Sequence, residues 1–414
     1  MVYSGDIARA AVNALTMGRT GQCYIARGEN VSFSQLVSYV NKSLVVKSTN
    51  LIAPYPLTLG VGALLSSVVR IKNKAPKLSF TMARISKAKT YFDTNKALEE
   101  LNMPHTPISF AVRACAHWFV KNGYVASKNT YQDKVFVITG SAQGVENTLA
   151  HTLLSRGAKV VLNGRSTSKA KAMLEEFAYA DDSAAYIAAD VSSEAECQSL
   201  IEQAIQQFGK IDFLVNNAGM SSYGDLEDTA SDVIKQVFDS NVMGSVYLSK
   251  AALPQLKQQK GGVLFISSLA ALNGLGGHAI YSAAKVAMVS LAQSLKKELH
   301  KTGVFVGYTY LGFTENDSEK RTLNPQGELE VIPSRPGIKP MPQHLAVLKI
   351  LKQIEAKRYR AIHSLMGKTF YGISRLSELL ANMILLRGYR TEKAFLETVN
   401  SKLNSAHPRE QHAM

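Results

Sequence analysis

Tyr281 and Lys285 stand four positions apart, so on a helix they share one face, a single turn from each other. A phenol beside a primary amine is a proton-transfer device. A free phenol titrates near roughly 10, too high for easy exchange at neutral pH, and a neighbouring ammonium lowers that value by favouring the phenolate. Ser268, thirteen residues before Tyr281, offers a hydroxyl that can fix a carbonyl or alcohol oxygen while the proton moves. The Tyr/Lys spacing is common by itself: Tyr124 with Lys128, and Tyr389 with Lys393, repeat it. Only Tyr281 is preceded by a serine at a strand end, an NNAG turn and a glycine-rich turn.

That glycine-rich turn is TGSAQGVE, Thr139 to Glu146, at the end of the apolar run KVFVIT and at the start of the helical pattern NTLAHTLLSRG. Gly140, Ser141, Gln143, Gly144 and Val145 would bring peptide N–H groups and a helix N-terminus against a pyrophosphate. A purely structural strand-to-helix turn uses glycines in the same way. The next strand ends at NGRS, where many dinucleotide folds carry an acidic residue for the ribose hydroxyl. Arg165 matches a phosphate instead, which favours NADP(H) over NAD(H); the alternative is a surface arginine capping the following helix.

The elements that must position these groups are legible in the periodicity. From Lys134 onward the runs KVFVIT, KVVLN, AAYIAAD, DFLVNN, GVLFIS and VFVGYTY alternate with helical segments. Six such strands joined by crossover helices predict an α/β fold, a Rossmann-type doubly wound parallel sheet with helices on both faces. Residues 133–330 are expected to form this domain, 126–132 (ending at Gln132) a polar linker, and 331–414 a basic helical extension or lid. Residues 1–125, with a strand-like QCYIA among helical patterns, predict a smaller α+β segment.

The order TGSAQGV, Asp190-Val191, NNAG, Asn241, SSLA and YSAAK resembles the short-chain dehydrogenase/reductase superfamily in its compact form, over about 150 residues. The resemblance implies hydride exchange between a nicotinamide and a carbonyl or alcohol. Tyr281 would be the acid/base, Lys285 its partner and a holder of the nicotinamide ribose, Ser268 the substrate anchor, and Asn241 the anchor of a water in the proton path. Asp190 and Val191 would border the adenine, and Asn216, Asn217, Ala218 and Gly219 would line the adenosine side. Two departures stand out. Glu146 replaces the family's third glycine, which admits a second reading, a non-catalytic binding or regulatory module with impaired cofactor use. After the sixth strand LGFTEN replaces the usual Pro-Gly, leaving either Thr314 or Asn316 for the carboxamide. The first 125 residues resemble the carboxyl-terminal, substrate-binding part of extended members, through VYSGDIARAAVNAL, GQCYIARGENVSF and YFDTNKALEELNMPHTPI. They read as a remnant of a longer fusion or as an accessory lid.

Hydrophobic residues at 46% and charged ones at 19% place the chain among globular proteins rather than disordered or fibrous ones. Cys23, Cys115 and Cys197 form no CxxC pair, so neither a disulfide framework nor a metal site is expected, and a reducing cytoplasm fits. The uncharged run Ser48–Val69 is broken by Pro54 and Pro56, leaving a helix too short to span a bilayer and expected to be buried or to line a cleft. Net charge is +11 over residues 1–130, −5 over 131–330 and +9 over 331–414. Those basic flanks without an RNA- or DNA-binding motif argue against a nucleic-acid partner. They leave solvated surface, with peripheral association at an anionic membrane as the alternative. The apolar stripe Ile373, Leu376, Leu379, Leu380, Met383 and Leu386 is expected to pack into the core, the alternatives being a cover over a lipid-like substrate or an interfacial helix. Assembly as a homo-oligomer is left open.

Overall fold

The computed structural model describes residues 1–44, 53–72, 78–85, 92–122, 124, 131–141, 144–168, 172, 175–177, 182–315, 320–331 and 340–406. The chain falls into two compact units, Met1–Ala116 and His117–Met414.

The first unit contains α1 (Ser4–Met17), α2 (Phe33–Leu44), α3 (Tyr55–Lys72), α4 (Phe80–Ile85), α5 (Asn95–Glu100) and the start of α6 (Ile108–Lys121). Its small core joins Ala10, Ala97 and Met103. Buried Asp6 accepts hydrogen bonds from the Thr106 amide at 2.9 Å and hydroxyl at 2.7 Å, which ties the start of α1 to the turn before α6. The strand expected at QCYIA is absent: the segment runs without a ladder partner among the described residues. The α+β expectation is therefore corrected to a helical unit there, because an isolated extended run gains nothing without an edge to pair with. The helix expected to be buried or to line a cleft is not buried along its length. Leu57, Val61 and Leu64 of α3 stay exposed, while Gly62 lets Ala83 of α4 come close.

The second unit is built on β1 (Val135–Ile138), α7 (Gly144–Leu154), β2 (Lys159–Gly164), β3 (Ala184–Ala188), α8 (Glu194–Phe208), β4 (Phe213–Asn216), α9 (Ser231–Phe238), α10 (Gly244–Gln259), β5 (Gly262–Ser268), α11 (Ala279–Glu298) and β6 (Phe305–Leu311). After these come the hairpin β7 (Arg321–Leu323) and β8 (Leu329–Val331), then α12 (Gln343–Glu355), β9 (Arg360–Ile362), α13 (Leu365–Leu376) and α14 (Glu378–Ala406). The main sheet is seven-stranded and parallel, in the order β3-β2-β1-β4-β5-β6-β9. All four residues of β1 are buried, as a strand covered on both faces by helices requires. One face packs Leu200, Leu248, Ala252, Met288 and Ala292 from α8, α10 and α11. The other packs Leu149 and Leu153 of α7 against Val347 and Ile350 of α12.

Asp212, wholly buried at the foot of β4, accepts from the Val135 amide at 2.9 Å and pairs with Lys134 at 2.7 Å and Lys210 at 3.1 Å. It pins the first residues of β1 and β4 in register. The sheet also runs past the domain end expected at residue 330, since β9 pairs with β6 and α12 belongs to the core.

The core-packing expectation for the C-terminal stripe is overturned. Leu376 is 91% exposed and Leu379 74%, with Leu380, Met383, Ile384 and Leu386 exposed beside them. Only Ala381 of this run is buried. One side of α14 suffices to seat it on the domain, so the opposite side is left outward.

Candidate active site

The turn after β1 is held by Thr139. Its amide donates to Val215 O at 3.2 Å, and its hydroxyl accepts from the amides of Asn217 at 3.1 Å and Ala218 at 3.0 Å. Thr139 and the NNAG turn are thereby locked side by side. Gly140 has φ +67°, and a Cβ there would lie 2.9 Å from Ala218 Cα, so no larger residue fits. Ser141 is buried; its amide donates to Asn163 O at 3.0 Å and its hydroxyl accepts from the Asn163 amide at 2.9 Å, joining the turn to the end of β2. Gly144, at φ +79°, opens α7 and leads into buried Val145. A glycine at the end of β1 and another at the start of α7 are what the approach of a pyrophosphate to backbone N–H groups would require. Gln143 lies outside the described residues, as does Asn316.

Glu146 follows in the first turn of α7, half-buried, with Oε2 3.4 Å from where a Gly144 Cβ would sit. Its negative charge is felt at both Tyr281 and Lys285. Arg165 is exposed immediately after β2. Asp190 turns its carboxylate back to accept from the Ser192 amide at 2.9 Å and hydroxyl at 2.7 Å, while buried Val191 packs where a Gly244 Cβ would stand.

Asn216 is buried at the end of β4, its amide group donating to the Ser249 hydroxyl at 2.9 Å. Asn241 lies in a single π turn, Asp239–Met243, inserted between α9 and α10. Its side chain donates to Met220 O and Val237 O, each at 2.9 Å. A Cβ on Gly219 would sit 2.2 Å from Asn241 Oδ1, so the last residue of NNAG must be glycine. π turns are frequent at functional sites because the extra residue re-aims neighbouring groups.

Ser268 ends β5 and Tyr281 and Lys285 occupy the first turns of α11, which packs against β5 and β6. Lys285 is only 6% exposed. Its Nζ donates to Ile266 O at 3.2 Å and lies 5.8 Å from the centre of the Tyr281 ring. Burial lowers its pKa to about 8, with the Glu146 charge opposing that fall and Lys320 adding to it. Burial raises the Tyr281 phenol; a Ser268 hydrogen bond pulls it down and Glu146 pushes it up. The structure places these three residues together, and burial leaves the phenol above its ordinary value.

Sequence reasoning missed the rim. Tyr389 of α14 packs against Gly276, and its hydroxyl donates to Asp225 Oδ1 at 2.6 Å. Lys393 pairs with Asp225 Oδ2 at 2.7 Å. The second Tyr/Lys repeat is thus a clamp that fastens α14 to the loops after NNAG and before α11. Its one available signal was Asp225, which the linear spacing does not connect to residues so far along the chain. The His278 ring meets Ser222 O at 2.9 Å across the same two loops. Thr314, half-buried, forms an isolated bridge with Met341.

Comparison with known proteins agrees with this architecture. Residues 134–326 match the family described as short chain dehydrogenase. An uncharacterized oxidoreductase of Thermotoga maritima is 35% identical over 210 residues, which span 50% of this chain and 83% of that protein. One from Staphylococcus aureus strain MRSA252 is 35% identical over 208 residues, spanning 48% of this chain and 89% of that protein. Among solved structures, a short-chain dehydrogenase from Streptomyces avermitilis superposes with a TM-score of 0.52 at 24% identity, over 62% of this chain and 97% of that one. A short chain dehydrogenase/reductase from Burkholderia phymatum in complex with NAD gives 0.53 at 22% identity, over 60% and 95%. With its seven-stranded parallel sheet and a relative matched over most of that relative's length, the chain belongs to the short chain dehydrogenase family of oxidoreductases.

Proposed function

We propose that the second unit is an NADP(H)-dependent oxidoreductase that interconverts a carbonyl and an alcohol, with Tyr281 as acid/base. The observation that carries this reading is the buried Lys285 ammonium, held by Ile266 O beside the Tyr281 ring at the end of the strand that delivers Ser268. When bound, the nicotinamide supplies or accepts the hydride. Ser268 holds the substrate oxygen and Tyr281 gives it a proton. Lys285 offsets the phenolate charge left behind. Asn241 keeps the neighbouring Met220 and Val237 carbonyls in place, and Gly140, Ser141, Gly144 and the NNAG turn hold the nucleotide. The Burkholderia relative was solved with NAD; in this chain exposed Arg165 at the end of β2 favours a 2′-phosphate. The substrate is read as apolar from the apolar segments that flank the catalytic domain in the sequence.

Oxidation of NADPH by the purified chain against a panel of carbonyl compounds tests the reading. Tyr281→Phe is expected to cut kcat by about a hundredfold to ten-thousandfold while NADPH fluorescence still saturates. Undiminished turnover in that variant would remove Tyr281 from the role. Glu146 favours a second reading, a nucleotide-fold binding module, because its carboxylate stands where the cradle is expected to be smallest and neutral. An NADPH titration that does not saturate for the wild type but does for Glu146→Gly would support it.

A further inference from the structure

We propose that α13 and the exposed side of α14 form a docking surface for an anionic lipid bilayer. Ala381, Leu385 and Tyr389 recur every four residues and seat α14 on the domain. The opposite side carries Leu379, Leu380, Met383 and Ile384 over the first two turns, all exposed, and Arg387 and Arg390 one turn further on. Leu365, Met366 and Leu376 of α13, which packs on α14, add to the apolar surface. From Leu365 to Arg390 the basic residues are Lys368, Arg375, Arg387 and Arg390, against the single acid Glu378. Apolar side chains followed by arginines that form no ion pair among the described residues suit acyl chains beneath anionic headgroups. A second copy of the chain fits worse, because two copies of this surface would place four basic residues each in one contact, with Glu378 the one acid between Leu365 and Arg390. No described helix is long and apolar enough to cross a membrane, so the contact is a peripheral one. The clamp through Tyr389 and Lys393 to Asp225 sets this surface beside the loops that rim the Tyr281 site.

The test is flotation of the full chain on phosphatidylcholine vesicles with and without phosphatidylglycerol, alongside light scattering for oligomeric state. The wild type is expected to float with the anionic vesicles and to be released by high salt. Leu379→Glu with Met383→Glu should remain in the soluble fraction. Arg387→Glu with Arg390→Glu should weaken binding by about tenfold or more. These side chains are exposed, and thermal unfolding midpoints equal to that of the wild type would confirm folding in each variant. The proposal is overturned if the wild type stays soluble with anionic vesicles or if both double variants float like it. It also fails if light scattering finds a dimer that the leucine and methionine substitutions dissociate while no vesicle binding occurs. None of these readouts depends on turnover, so they stand apart from the test of Tyr281.

Discussion

Lys285 is the residue on which pH should act first. Its pKa of about 8 means that the ammonium is present below that value and is lost as pH rises through it. In the reductive direction the phenol must also be protonated, and burial has moved its titration upward, so Lys285 is the first of the two to lose its proton. The expected profile of kcat/KM for reduction is level below about pH 8 and falls above it. Glu146 holds the Lys285 value up, so Glu146→Gln should shift the inflection to lower pH; a profile that does not move, or moves upward, contradicts the coupling. Arg165 makes a separate prediction. Arg165→Ala should weaken NADPH binding by about tenfold to a hundredfold and leave NADH unchanged, read by fluorescence titration. At this scale much was legible. Tyr281, Lys285 and Ser268 could be read because helical spacing and strand-end position are linear properties. The burial of Lys285 and the reach of Glu146 could not, since both depend on how α7 and α11 lie across the sheet.

Among the elements, the strands of the main sheet were readable as Val- and Ile-rich runs, with one exception. β9 is three residues, RAI, flanked by charge, and only the open edge of β6 makes it a strand. QCYIA shows the converse, a good strand pattern with no edge to join. The π turn that positions Asn241 was also invisible, because one extra residue per turn leaves the apolar pattern of α9 and α10 intact. The anchorage at Asp212 belongs to the same scale. Asp212→Ala removes the acceptor for the buried Val135 amide and should cost about 2 kcal/mol, measured by urea denaturation. Lys134 and Lys210 remain partly exposed and can be solvated, so the cost should not approach that of stranding a buried cation.

For the whole molecule, the charge asymmetry between the middle and its flanks admits both solvated surface and an anionic membrane as its reading, and periodicity could not show which side of the C-terminal helices faces out. The same segment finishes the fold. Val347, Ile350, Leu351 and Ile354 of α12 are buried against the sheet, each contributing roughly 1.5–3 kcal/mol. Their sum is comparable with a domain's entire margin of roughly 5–15 kcal/mol. A chain ended at Val331 should therefore lose cooperative thermal unfolding and soluble expression; a soluble product with a sharp transition would contradict that. β9 being last in the sheet also sets an order of events during synthesis. A nascent chain leaving the ribosome keeps the outer edge of β6 unpaired until Arg360–Ile362 has emerged, and that edge is where a neighbouring chain could add a strand. The exposed apolar residues of α13 and α14 are translated only after the strand that covers the β6 edge, so they come out onto a sheet whose last strand is only three residues long.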